Sequence, residues 1–299
     1  MKLLGLLLTS FSLYGSAVDP YGWLMEMESE RTLKWTTEQN AKAEDYLKGI
    51  HQREEIREML EVYSDYENYG LPADREGRLF FFKRERGAEL HDLIVRQNEE
   101  DRVLVRSEEK GPLNAFKVSA DGKWVTYGVS DAGSDKQVWR FINVDTGERP
   151  CDELEGIQFT TPIWGEGGVF YVSYLERAIY FHELGGENRR LFQINDDKKM
   201  ILGLTRPNHN TLLFIAIHEW SRDNAVYMCD LVDGAVKEIV PYDLGQYRFM
   251  GAVGEKLLFL TDHEAGHNKL VLYNGEFRDF LPDQERTLIE ASIFGEEVF

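Results

Sequence analysis

Leu79-Phe80-Phe81-Phe82, Trp124-Val125-Thr126-Tyr127, Val169-Phe170-Tyr171-Val172, Leu212-Leu213-Phe214-Ile215 and Leu257-Leu258-Phe259-Leu260 are one feature written five times. From the first residue of each run to the first of the next, the steps are 45, 45, 43 and 45 residues. Short apolar runs repeating at this spacing are the signature of a β-propeller, in which every unit is one four-stranded antiparallel sheet. Nearly continuous apolarity marks a strand covered on both faces.

The sequence around each run completes a unit. In the second unit Ala115-Phe116-Lys117-Val118 reads as a first strand and leads through Asp121-Gly122 into the run. Third strands follow at Leu93–Val95, Val138–Ile142, Ile179–Phe181, Val226–Met228 and Leu270–Tyr273. Turn signals come next, Asp145-Thr146-Gly147, Gly185-Gly186, Asp233-Gly234 and Asn274-Gly275, of the type that supplies positive φ to a hairpin. Fourth strands, such as Arg102–Val105 and Ala235–Val240, close the units. A sixth unit opens at Arg286-Thr287-Leu288-Ile289 and has barely begun its next strand at Val298-Phe299. The expectation is therefore a mostly β chain, an incomplete propeller of five four-stranded blades and the start of a sixth over residues 70–299, with the inner strands most buried.

Composition narrows the function classes. The 299 residues are 42% apolar and 12% aromatic, which suits a globular core rather than a disordered chain. A formal charge of -19 repels nucleic-acid phosphates and anionic lipid surfaces, so neither nucleic acid nor membrane is expected as a partner. No run reaches the roughly 20 apolar residues of a membrane-spanning helix. Cys151 and Cys229 fall in different units and read as two partly buried, unpaired thiols.

Residues before the repeats follow other rules. Met1-Lys2, the apolar stretch Leu3–Leu8 and the small residues Gly15-Ser16-Ala17 match a secretory leader over residues 1–17, which predicts export. The alternative is a short apolar strand or helix opening a cytoplasmic protein. Across residues 18–69 the period is helical: Ser29 can cap a helix reaching about Leu47, and Ile56, Met59, Leu60 and Tyr63 share one face of a second.

These residues also carry a resemblance. Asp19-Pro20-Tyr21-Gly22-Trp23-Leu24, followed by Trp35-Thr36-Thr37-Glu38-Gln39-Asn40, is similar to the opening of prolyl oligopeptidases, although Gly22 stands where an arginine is usual and Met25 where an acid is usual. Val118–Ser130 with Gly133-Ser134-Asp135 resembles the second blade of that family, and Phe159, Trp164 and Phe170-Tyr171 its third. The resemblance implies an enzyme of two parts. An α/β-hydrolase domain carries Ser, Asp and His, and a seven-bladed propeller admits only short peptides to it. It further implies that residues 18–69 belong to the hydrolase domain, and that the seventh blade and the rest of that domain, the expected partner of this chain, are missing here. No catalytic residue, metal ligand or cofactor site is then expected, and the chain alone is expected to be inactive. Phe159, Ile201, His218 and Ser221 correspond, by resemblance, to the propeller's share of the substrate-pocket wall, with Phe159 as a plain core aromatic the competing reading.

Three other patterns invite chemistry. A hydrolase of this kind needs a G-x-S-x-G elbow, and no such pentapeptide occurs; Ser130 within Gly128–Gly133 is spaced wrongly. His263-Glu264-Ala265-Gly266-His267 fits H-E-x-x-H, which binds zinc only when a helix projects both histidines from one face. Its place between two strands and its Gly266 predict a solvated turn instead. His51, His91, His182 and His209 read as ordinary surface or hairpin residues, and Glu99-Glu100-Asp101 and Asp196-Asp197 as loop tips. A stand-alone propeller acting as a binding scaffold is the alternative function.

Overall fold

The computed structural model describes residues 19–107, 111–130, 135–196, 198–218, 221–295 and 297–299. The expected leader lies outside them. The chain divides into two compact units, Met1–Tyr66 and Glu67–Phe299.

In the first unit, α1 (Glu30–Lys48) starts where Ser29 accepts a hydrogen bond from the Thr32 amide, and α2 (Arg53–Ser64) follows. Trp23 packs edge-on against Trp35, with ring centroids 6.1 Å apart, and Arg31 lies over the Trp23 ring. The opening motif is thus a small aromatic clasp on α1. Ile56, Met59, Leu60 and Tyr63 of α2 are exposed.

The second unit is built of sheets in sequence order. The first contains β1 (Asn68–Tyr69), β2 (Ala73–Arg75), β3 (Arg78–Arg84), β4 (Asp92–Gln97) and β5 (Glu100–Val105). Its innermost position is shared by two short pieces, because β2 pairs with the start of β3 and β1 with its end. The second sheet holds β6 (Leu113–Val118), β7 (Trp124–Ser130), β8 (Gln137–Asn143) and β9 (Leu154–Ile157). The third holds β10 (Ile163–Trp164), β11 (Gly168–Ser173), β12 (Ala178–Glu183) and β13 (Asn188–Gln193). β14 (Lys199–Asn208), β15 (Thr211–His218), β16 (Asn224–Asp230) and β17 (Val236–Val240) form the fourth. β18 (Tyr247–Val253), β19 (Lys256–Thr261), β20 (Lys269–Tyr273) and β21 (Phe277–Leu281) form the fifth. Each is an antiparallel meander, and Gly147 and Gly234 take positive φ at the turns that close β8–β9 and β16–β17.

Successive sheets stack face to face. Phe80, Leu93 and Val105 meet Val125, Tyr127 and Ile142 in one core, and Trp139, Phe141 and Leu154 meet Val169 and Tyr171 in the next. Phe170, Val172 and Ile179 pack on Leu212 and Phe214; Leu213, Val226 and Val240 pack on Tyr247, Leu257 and Phe259. This is blade packing, and the five expected repeats are its five sheets.

Several local expectations are corrected. The most buried strands are the second ones, β7, β11, β15 and β19, rather than the first ones, which are edge strands hydrogen-bonded on one side only. The sixth unit's first strand is β22 (Ile293–Phe294), paired with β23 (Glu297–Val298), while Arg286–Ile289 is irregular and feeds Leu288 into the core beside Leu258 and Leu260. His182 is no surface residue: it is 5% exposed and stacks on Phe141, because its place in β12 turns it inward. Glu100 and Asp101 lie within β5 rather than at a loop tip, and Asp101 holds Arg96 through two bonds of 2.5 and 2.9 Å. Cys151 is exposed, whereas Cys229 is buried and its thiol is pushed up by that burial.

Candidate functional site: the inner strands of the sheets

The first strands face the unit's axis. Their half-buried pattern follows from their position as edge strands, each hydrogen-bonded on one side only, to the second strand of its sheet. A cavity of about 380 Å³ lies among them, lined by Arg75 at the end of β2, Lys117 of β6, Ile163 and Trp164 of β10, and Leu204, Thr205 and Arg206 of β14. Backbone acceptors fix these side chains. The Trp164 indole donates to the Lys117 carbonyl at 2.8 Å, and Arg206 donates to the carbonyls of His209 at 2.7 Å and Trp164 at 3.4 Å. The cavity is therefore a surface contributed by four successive sheets.

A second cavity, of about 430 Å³, opens between the fourth and fifth sheets and is lined by Gly203, Ile215, Ile217, Ser221, Arg222 and Tyr247, among others. Asn224, 3% exposed, braces its floor by accepting from the Tyr247 amide at 2.7 Å and donating to the Tyr247 carbonyl at 3.1 Å.

The four residues singled out by sequence occupy different settings. Phe159, between β9 and β10, has φ of 59° and is 51% exposed, with its ring edge-on to Tyr174. A bulky side chain in the left-handed region costs on the order of 1 kcal/mol or more, and its exposure sets aside the core-aromatic reading. Ile201 is 2% exposed in the core between the third and fourth sheets, so its side chain fills a seam. The His218 carbonyl accepts from the Ser221 amide at 2.7 Å, closing the end of β15, and Ser221 lines the second cavity. The cationic lining of the first cavity was missed.

His263–His267 is a turn between β19 and β20, not a helix. His263 Nδ1 sits 2.7 Å from the Leu244 carbonyl, while Asp283 accepts from the amides of Gly266 and His267 and lies 3.6 Å from the His267 ring. Those amide bonds hold the Asp283 carboxyl below its usual range. Among the described residues, every carboxylate whose pKa departs from the ordinary value moves down: Glu67, Asp101, Asp121, Asp196 and Asp283. Hydrogen bonds and ion pairs that favour the charged form do this, the opposite of what a proton donor needs. Ser130 ends β7 at 5% exposure with Asn114 as its neighbour at 3.4 Å.

Comparison with known proteins agrees with this architecture. The family model for the prolyl oligopeptidase N-terminal β-propeller domain matches residues 13–297. The chain is 24% identical over 286 residues to the prolyl endopeptidase of Elizabethkingia meningoseptica, covering 86% of this chain and 40% of that protein. It is 23% identical to prolyl oligopeptidase A of Amanita bisporigera, covering 93% and 45%. Among solved structures, prolyl oligopeptidase B from Galerina marginata, bound to a 35-residue hydrolysis and macrocyclization substrate, shares the fold with a TM-score of 0.77 at 20% identity, over 92% of this chain and 45% of that one. The chain thus spans less than half the length of these relatives. By its five stacked sheets and a match along nearly its whole length, this chain belongs to the prolyl oligopeptidase N-terminal β-propeller family.

Proposed function

We propose that this chain is the N-terminal and propeller part of a prolyl oligopeptidase-like serine endopeptidase, in which it restricts access to short peptides and contributes no catalytic group. The observation that carries the reading is the cavity formed by inner strands of four sheets in a chain of this family. A site of this size among strands would accommodate an extended peptide and not a folded domain. Cleavage by a serine peptidase needs a nucleophile, a base and oxyanion donors held together. No G-x-S-x-G elbow occurs, and the hydrolase domain that would supply them is the proposed partner.

The test is hydrolysis of a fluorogenic proline-containing peptide by the purified chain, with and without a serine-directed inhibitor. The expected result is no turnover. Turnover abolished by the inhibitor would place a nucleophile within these residues and overturn the reading. The access role is tested by grafting residues 67–299 into an intact prolyl endopeptidase in place of the corresponding part of its propeller. The chimera should cleave short peptides and spare folded proteins, and cleavage of both at similar rates would refute gating. Export directed by residues 1–17 is part of the same proposal, checked by sequencing the N-terminus of the mature protein.

A further inference from the structure

The chain carries 53 acidic and 34 basic residues, so a cation has many carboxylates to pair with. Several strand cations do: Arg78 with Asp145, Lys83 with Glu67, Arg96 with Asp101, Arg140 with Glu153 and Lys269 with Asp279. Among the described residues, Arg75, Lys117 and Arg206 have no carboxylate partner. All three line the inner cavity, whose lining includes no carboxylate. Arg75 donates to the Asp74 carbonyl at 2.6 Å and Arg206 to the carbonyls of His209 and Trp164. These neutral acceptors orient the guanidinium groups without cancelling their charge. Arg206 Nε is buried with no acceptor among the described residues.

We propose that this cavity is a carboxylate-binding site that selects peptides with acidic side chains. Three uncompensated cations around an uncharged floor of Ile163, Trp164 and Thr205 suit an extended peptide whose backbone lies on the apolar surface while its Asp or Glu side chains reach Arg75, Lys117 and Arg206. A planar guanidinium can hold a carboxylate through two parallel hydrogen bonds, and Lys117 adds a point charge. In a strongly acidic protein such a locus also draws a negatively charged segment toward the axis and away from the remaining surface. The choice of a peptide as ligand rests on the access-gating function proposed above.

The experiment measures anisotropy of rhodamine-labelled, end-blocked peptides of equal length, one with Glu and one with Gln at alternate positions, titrated with the 299-residue chain. The Glu peptide should bind about tenfold more tightly at low salt, and the preference should fade as added salt shortens the screening length. In the Arg75→Gln/Lys117→Gln variant it should fall below about twofold, with an unchanged melting midpoint because both side chains are exposed and unpaired. Lys117→Gln alone carries the test should the double variant lose its cooperative melt. Equal binding of the two peptides overturns the carboxylate site and leaves gating standing, whereas binding of neither counts against both. A preference that persists in the variants, or displacement of the Glu peptide by inorganic phosphate at equal concentration, also overturns the site.

Discussion

In the fourth sheet, β15 buries Leu212, Leu213, Phe214, Ala216 and Ile217, whereas its hydrogen-bonded neighbour β14 buries Ile201 alone and leaves the rest half-exposed or exposed. The two strands share a ladder and differ in what flanks them. β15 is paired on both edges and packs on the third and fifth sheets, and β14 is the edge strand. Changes in second strands should therefore act on stability, and changes on the open side of first strands on binding.

The sharpest way to break that division is Phe214→Ala. Phe214 is fully buried, stacked on Tyr227 at 4.9 Å and against Phe192 at 4.8 Å, so its removal should cost about 3–5 kcal/mol in a urea melt. A loss under about 1 kcal/mol would mean that the seam between sheets repacks freely. Asn224→Ala tests the polar stitch between the fourth and fifth sheets. It strands both the amide and the carbonyl of Tyr247, and a loss of about 1–3 kcal/mol is expected with burial of the apolar seam intact. Little change would show that water replaces the Asn224 amide.

The smallest effect belongs to the β19–β20 turn. Because Asp283 has a lowered folded-state pKa, its contribution is fully present above the ordinary carboxylate range near pH ~4 and is lost as pH falls through the folded value. The gap in melting midpoint between the native chain and Asp283→Asn should be constant at neutral pH and close on acidification. A gap that widens in acid would contradict the assigned hydrogen bonds.

Most of the blade order was legible because two-sided burial writes itself as an apolar run, and a constant step reveals the repeat. First strands left no such trace: Ile163–Trp164 is two residues long, and the first sheet splits its inner edge between β1 and β2. His182 misled because Glu183 and the Gly185-Gly186 turn signal follow it closely in sequence, whereas in space its ring stacks on Phe141 and its Nδ1 meets Asn188. Phe159 could be singled out only by resemblance, since nothing local announces a positive φ at phenylalanine. The cations of the inner cavity are separated by whole blades, yet Arg75, Lys117 and Arg206 stand 4, 7 and 6 residues before the second-strand runs of their units. Reading charge in register with the repeat would have found them.

Each apolar core of the second unit joins only one sheet to the next, and the cores follow one another in chain order. Energetically this is a row of couplings between nearest neighbours, closer to a stacked repeat array than to a single shared interior. Substitutions in seams that share no sheet, such as Tyr127 in the first and Phe259 in the fourth, should then add within experimental error, whereas pairs inside one seam, such as Phe214 and Phe170, should not. Damage to one seam stays local, so a blade can drift in sequence as long as its two neighbours still fit.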